Sequence, residues 1–296
     1  MYELIAQNKY GEQLKMTNNP RYVITDVDGL YPPEGTINTT QVANTDGSVF
    51  NSSRINDRVI TITMAINAPA EANRILLYRY FKTKYPVRLY YKNGTRDVYI
   101  DGYVSKFSVE YFEKKQTAQI EITCPMALFR ATKESSTEFS NIENMFTFPF
   151  AIEEAGVPFS YIALGEQKTI INGGDVETGV VIRLNALGTV KNPKIYNVDT
   201  IDRMILNVTM QAGDEITINT RKKEKSITLL RDGVTTNIVG RLEAGSTWFN
   251  LLPGDNVFTY EADELPENLQ CTFIINNQFE GCEYGHLCAR LYCTNS

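Results

Sequence analysis

Histidine occurs once in this chain of 296 residues, at 286, and tryptophan once, at 248. A single histidine leaves no two-histidine metal site within one chain, and any Ser/His/Asp triad would have to be built on His286, close to the carboxyl terminus. Cysteine is scarce and unevenly placed: of five, Cys271, Cys282, Cys288 and Cys293 fall in the final tenth. An odd number so placed argues against a chain-wide disulfide framework and fits folding in a reducing cytoplasm. No run of about 18 apolar residues occurs, the length that a membrane-crossing helix needs. Met1–Glu12 has neither the basic start nor the apolar centre of an export signal. Basic charge is in deficit, with 29 Lys and Arg against 35 Asp and Glu and a net charge of −6. That balance disfavours a protein whose task is gripping phosphate backbones.

What is present is a dense β signal. Short runs alternate apolar and polar residues between turn residues, as in Arg58-Val59-Ile60-Thr61-Ile62-Thr63-Met64. Val87–Tyr91 runs into Asn93-Gly94, a favoured pair for a tight hairpin. Tyr103–Phe112 and Thr117–Cys124 read as a second hairpin. One segment departs from this rhythm: after Pro69, Ala70–Lys84 carries Ala72, Ile75, Leu76 and Arg79 at helical spacing, and Pro86 ends it. A helix packed on its own sheet and a helix docked on a neighbouring subunit both fit that pattern.

The length and 43% hydrophobic content support two cores. Apolar periodicity lapses over Ala131–Glu138, which places a linker at 131–143 between a first domain of 1–130 and a second of 144–281. Residues 282–296 form a Cys-rich tail. Beyond the linker, Val180–Leu184, Met204–Met210, Glu215–Asn219, Ser226–Leu230 and Val257–Tyr260 read as strands without alternating helices, which predicts a sandwich or jelly roll. The expected fold class is mainly β: an amino-terminal β-barrel or sandwich with one α-helix, and a carboxyl-terminal β-sandwich.

Few constellations carry chemistry. Val23-Ile24-Thr25-Asp26-Val27-Asp28-Gly29 looks like the strand and Asp-x-Asp-Gly start of haloacid-dehalogenase-type phosphatases. Those enzymes need a parallel βαβ framework next, whereas Leu30-Tyr31-Pro32-Pro33-Glu34-Gly35 and strands follow, so Asp26 and Asp28 read as loop residues. Cys282, His286, Cys288 and Cys293 offer the four soft ligands of a structural zinc site, though their Cys-x3-His-x-Cys-x4-Cys spacing lacks a paired Cys-x2-Cys knuckle. A loosely ordered tail with reduced thiols is the competing reading. Arg221-Lys222-Lys223-Glu224-Lys225 reads as a solvated turn between strands. With 17 Tyr and 14 Phe, most rings fill half-buried β faces and a carbohydrate-stacking platform is the alternative; Trp248 reads as part of a core strand. No catalytic or cofactor-binding residue is predicted.

The second-domain turns occur in a distinctive order: Asn172-Gly173-Gly174-Asp175-Val176-Glu177-Thr178, Lys191-Asn192-Pro193-Lys194-Ile195, Gly213–Thr220, and Trp248–Asn256. This order resembles the siphophage tail component family, whose best-known members are the distal tail proteins. The first half is similar to that family through Asp26–Gly29, Arg58–Ile66, Asp101-Gly102-Tyr103-Val104 and Cys124-Pro125. The resemblance implies a non-enzymatic structural protein of the virion tail tip, made in the host bacterial cytoplasm. It implies a homo-hexameric ring built by the first domain and a galectin-like second domain projecting outward. The ring would join the tail tube protein to the tail-associated hub or baseplate and leave a channel through which DNA passes without specific binding. The outer domain would dock receptor-binding or baseplate proteins, with no membrane involved. A saccharide-binding module for host attachment is the alternative. Two features depart from the pattern: Cys282–Ser296 runs past the expected end at Phe279-Glu280-Gly281, and no long insertion interrupts the second domain, so host recognition is expected of a partner.

Overall fold

A computed structural model describes residues 2–43, 46–110, 116–139 and 167–282, with the backbone alone of Ile142–Asn144 and Ser160–Ile162. The chain divides into two compact units, one of Met1–Thr132 with Gln278–Ser296 and one of Lys133–Asn277. The first contains β1 (Glu3–Asn8), β2 (Gln13–Lys15), β3 (Tyr22–Asp28), β4 (Gly35–Thr40), β5 (Val49–Ile55), β6 (Arg58–Ile66), α1 (Ala70–Tyr80), β7 (Pro86–Lys92), β8 (Asp97–Val109), β9 (Thr117–Cys124) and β10 (Phe129–Ala131). Most of these strands join one antiparallel sheet in the order β2-β1-β7-β8-β9-β6-β3.

Alternation decides the inner face. Ile60 and Ile62 of β6 lie opposite Ile122 and Ile120 of β9, and all four are fully buried. Each such side chain contributes roughly 1.5–3 kcal/mol relative to exposure. Leu4, Leu89, Val98 and Ile100 from neighbouring strands join the same cluster. One sheet can bury a single cluster from strands all along its path only by curving around it, as a barrel does.

The helix ends at Tyr80 rather than Lys84, because Phe81 leaves helical geometry to enter the core. It also turns a different face inward than its apolar spacing predicts. Asn73, Leu77 and Phe81 are buried, while Ala72, Ile75 and Arg79 face outward. The inner stripe contains an asparagine that reads as polar. Inside, its Nδ2 donates to Asn67 O (2.9 Å) and its main-chain carbonyl accepts the Tyr22 hydroxyl (2.9 Å), which offsets the cost of burying it.

The second unit holds β11 (Ser135–Phe139), β12 (Ile142–Asn144), β13 (Ser160–Ile162), β14 (Lys168–Asn172), β15 (Thr178–Ala186), β16 (Val190–Asn197), β17 (Arg203–Ile205), β18 (Thr209–Met210), β19 (Glu215–Asn219), β20 (Ser226–Arg231), β21 (Val234–Asn237), β22 (Asn250–Leu251), β23 (Gly254–Glu264) and β24 (Leu269–Ile275). One sheet runs β11-β24-β15-β19-β20-β21 and another β14-β23-β16-β17. Ile182, Leu184 and Phe273 from the first sheet share a cluster with Ile195, Phe258 and Tyr260 from the other, which makes a β-sandwich.

The domain boundaries differ from the sequence reading in two places. Ser135–Phe139, placed within a linker at 131–143, is an edge strand paired with β24, and Phe139 is buried. Only Phe139 faces the core fully, so the run of Ser, Thr and Glu around it reads as linker. At the other end, residues 278–281 do not belong to the second domain. β25 (Gln278–Phe279) pairs with β10, and Phe279 and Cys282 are buried in the first core. The second unit is therefore inserted between two paired strands of the first.

One buried carboxylate ties the sandwich together. Asp214, 3% exposed, accepts hydrogen bonds from Arg231 Nε (3.0 and 3.1 Å) and Nη2 (2.5 Å), and from the Gln211 N–H (2.7 Å). The Arg231 guanidinium, helped by Gln211, holds its carboxyl below the usual carboxylate range. A carboxyl whose folded pKa lies below its unfolded value of about 3.9 stabilises the fold above that pH, and the contribution disappears as pH falls through the folded pKa. Acid unfolding of this unit, followed by fluorescence of Trp248, should accordingly steepen below about pH 4. Asp214→Asn should lower stability at neutral pH and flatten that acid limb.

Candidate assembly surface of the first unit

Asp26 and Asp28 lie exposed on β3, which pairs only antiparallel with β6. Asp28 Oδ1 accepts the Gly29 N–H (2.9 Å) and so serves the turn. Gly29 has φ +88°, and a Cβ there would come within 2.2 Å of Val59 O. The turn thus demands glycine, and this explains the Asp-x-Asp-Gly run without catalysis.

Of the candidate zinc ligands, only Cys282 lies among the described residues; His286, Cys288 and Cys293 fall outside them. Cys282 is not part of a loose tail. Its N–H donates to Leu30 O (3.0 Å), its carbonyl accepts from Asn93 Nδ2 (3.0 Å), and its side chain is 1% exposed. Among the described residues no group of three or more His, Cys, Asp or Glu is placed to hold a metal. Burial pushes the Cys124 thiol up to about 12 and raises that of Cys271, so both stay protonated near neutrality.

Arg221–Lys225 forms the turn between β19 and β20. Arg221 pairs with Glu134 (2.7 Å), and the Lys225 ammonium sits 5.4 Å from the Trp248 ring centroid. Trp248 itself lies outside any strand, half-buried against the second core. It offers no open stacking platform.

Arg58 marks a different kind of centre. It is 4% exposed, and its donors are spread over four backbone carbonyls: Ala127 (2.6 Å), Gly29 (2.6 Å), Tyr31 (2.5 Å) and Glu280 (2.5 Å). Its guanidinium also lies 4.6 Å from the Phe129 ring centroid. One side chain thereby fixes the β3–β4 turn, the approach to β10 and the returning terminus.

From that fixed point a hairpin extends. Among the described residues β4 and β5 pair only with each other, and nearly every residue of both is exposed. A bulge at Asn51 shifts their register, so that Thr39 faces Phe50 while Asn38 faces Ser52. Without that extra residue Phe50 would fall on the polar face with Thr40. The bulge instead groups it with Ile37 and Ile55, which are 61%, 67% and 48% exposed respectively. The opposite face carries Thr36, Asn38, Ser52 and Arg54, with Val49 at its end opposite Thr40, and Asn38 Nδ2 donates to Ser52 Oγ at 3.0 Å. The hairpin is therefore amphipathic with its apolar side uncovered. Two-stranded hairpins are marginal alone, and apolar side chains grouped on an exposed face mark interaction sites.

A groove lies beside β3. That strand ends the sheet, so among the described residues its outer edge is unpaired apart from one bridge at Tyr22. Next to it are a cavity of about 730 Å³, lined by Tyr2, Met16 and Val23 among others, and one of about 270 Å³ lined by Ile24, Val27 and Leu30. Neither the apolar face of the hairpin nor the groove is legible in the sequence, because Gly35–Thr40 and Val49–Ile55 lack regular alternation.

Comparison with known proteins agrees with this architecture. Residues 9–124 match the phage tail protein RIFT-related domain, and residues 173–273 match the siphovirus-type tail component, C-terminal domain. The crystal structure of the SPP1 Dit (gp 19.1) protein, described as a paradigm of hub adsorption apparatus in Gram-positive infecting phages, is similar in fold. Its TM-score is 0.67 at 12% identity, over 94% of this chain and 99% of that one. A chain of the phage P2 baseplate, in its activated conformation with Ca, has a TM-score of 0.54 at 13% identity over 95% and 100%. A search of curated proteins finds no match. With both halves matched in order, the chain belongs to the siphovirus-type tail component family, as a component of the distal tail of a bacteriophage.

Proposed function

We propose that this protein is a non-enzymatic ring subunit, six copies of which join the tail tube to the tail-tip hub or baseplate around a channel for DNA. The observation that carries this reading is the amphipathic hairpin of the first unit, whose apolar face has no cover within the described chain. A surface of that kind becomes stable on association, and head-to-tail contact between identical chains builds a ring when the rotation between them closes. The insertion of the sandwich between β10 and β25 supports a division of labour, with ring contacts in the first unit and docking of adsorption or baseplate proteins on the second. The net charge of −6 suits a conduit that must release DNA, since a basic wall would retain it. The same reading places the protein at the virion tail tip after synthesis in the host cytoplasm. Light scattering of the purified full chain should show a six-chain species. A protein that stays monomeric at all concentrations, and that binds neither tail tube nor hub protein, would contradict it.

A further inference from the structure

The net charge of −6 is not shared evenly. All of the acidic excess belongs to the second unit, whereas the first, taken alone, carries more Lys and Arg than Asp and Glu. We infer that the end of the first unit's sheet where β1 stops and β7 begins is a contact for the phosphates of DNA, built by Lys9, Lys82 and Lys84 around Tyr85. The phosphate chemistry comes from the patch itself; the choice of DNA as its source rests on the conduit reading.

Topology gathers these residues. Asn8 of β1 lies opposite Val87 of β7, and Pro86 lies opposite Tyr103 of β8. Lys9 and Tyr10 leave β1 there, Lys82–Tyr85 lead into β7, and all of them are exposed. The Lys84 N–H donates to Val104 O (2.9 Å), which fixes that loop beside β8. The Lys9 ammonium sits 3.9 Å from the Tyr85 ring centroid, and that of Lys82 sits 5.9 Å from the same ring. One ring thus gathers two like charges, and an anion between them turns their repulsion into attraction.

The protein's own carboxylates do not supply that anion. Arg79 engages Glu12 (3.0 Å) and Arg88 engages Asp101 (2.6 Å), whereas Lys9, Lys82 and Lys84 form no ion pair among the described residues. Residue type then favours phosphate over an acidic protein surface. The planar fork of arginine matches a carboxylate, and both arginines here are engaged that way. Lysine is a point charge that needs no fixed partner geometry, which suits a backbone sliding past. Tyr10 and Tyr103, 69% and 51% exposed, stand at the same end with hydroxyls of the kind that also contact phosphate. Three lysines per copy give a sequence-independent hold that salt weakens steeply, a footing and not a basic wall.

The test is fluorescence anisotropy of a short labelled DNA duplex of random sequence titrated with the full chain. Affinity should fall at least roughly 40-fold between about 50 and 200 mM salt, the response of three phosphate contacts. Lys9→Gln, Lys82→Gln and Lys84→Gln should each reduce the salt slope by about one. The triple variant should bind at least about tenfold more weakly than the parent, with an unchanged thermal melt because all three side chains are exposed. Lys222→Gln combined with Lys223→Gln, in the β19–β20 turn, should leave the affinity in place. A duplex that does not bind at about 50 mM salt, a triple variant that binds like the parent, or an equal loss in the Lys222 and Lys223 variant would overturn the contact. Preference for a polyglutamate peptide over the duplex would overturn it too, and would make an acidic protein the partner. None of these outcomes touches the ring reading, which light scattering of the same samples tests separately.

Discussion

Arg58→Met should destabilise the first unit by roughly 3–5 kcal/mol and leave the second unchanged. The guanidinium satisfies four carbonyls in three separate segments, and methionine fills similar space without a donor. Each buried carbonyl left unpaired costs about 1–3 kcal/mol, with water able to recover part of it near the surface. Arg58→Lys should fall between, because an ammonium is a point charge with three donors and cannot span acceptors that a planar fork reaches together. Thermal unfolding of the full chain checks this: the two units have separate cores, so the earlier transition should drop by roughly 10 °C while the transition reported by Trp248 stays in place. Equal movement of both, or of neither, would show that Arg58 is not the tie described.

The second large effect concerns the returning strand. Residues 1–132 alone should fail to fold stably, although they contain ten of the unit's strands and its helix. They lack Phe279, 7% exposed and stacked under the Arg96 guanidinium at 3.9 Å, and the Glu280 carbonyl that Arg58 needs. Loss of a buried phenylalanine by itself costs about 3–5 kcal/mol, a large part of a small domain's total stability. Joining residue 132 to 278–282 through a short turn should restore a cooperative melt, because β10 and β25 are already antiparallel partners at Phe129 and Phe279. Equal stability of the two fragments would refute the return.

Which features could be read from the chain follows from the range of the interactions involved. Strands such as β6 and β9 announce themselves because each residue's burial is settled by its own polarity, and alternation records it locally. The Asn93-Gly94 hairpin was legible for the same reason. The inner face of α1 was not, since Asn73 is buried by partners at Asn67 and Tyr22 that only folding brings near. β11 hid among serines and threonines, as edge strands often do. Phe279 and Cys282 looked like the end of one domain and the start of a tail, because nothing local tells a strand that its partner lies about 150 residues earlier. The hairpin's apolar face was invisible for a subtler reason: it depends on a one-residue bulge at Asn51, and a shift of one residue exchanges the faces of everything beyond it.

The central claim is that the first unit builds a ring through its hairpin, and an image of phage tail tips resolved with their symmetry tests it most directly. The account predicts a closed ring in which the hairpin face that bears Phe50 is covered by the adjoining copy, and in which the sandwiches lie outside the ring contacts. A ring joined through the sandwiches, or a single copy at the tip with its hairpin facing solvent, would contradict it.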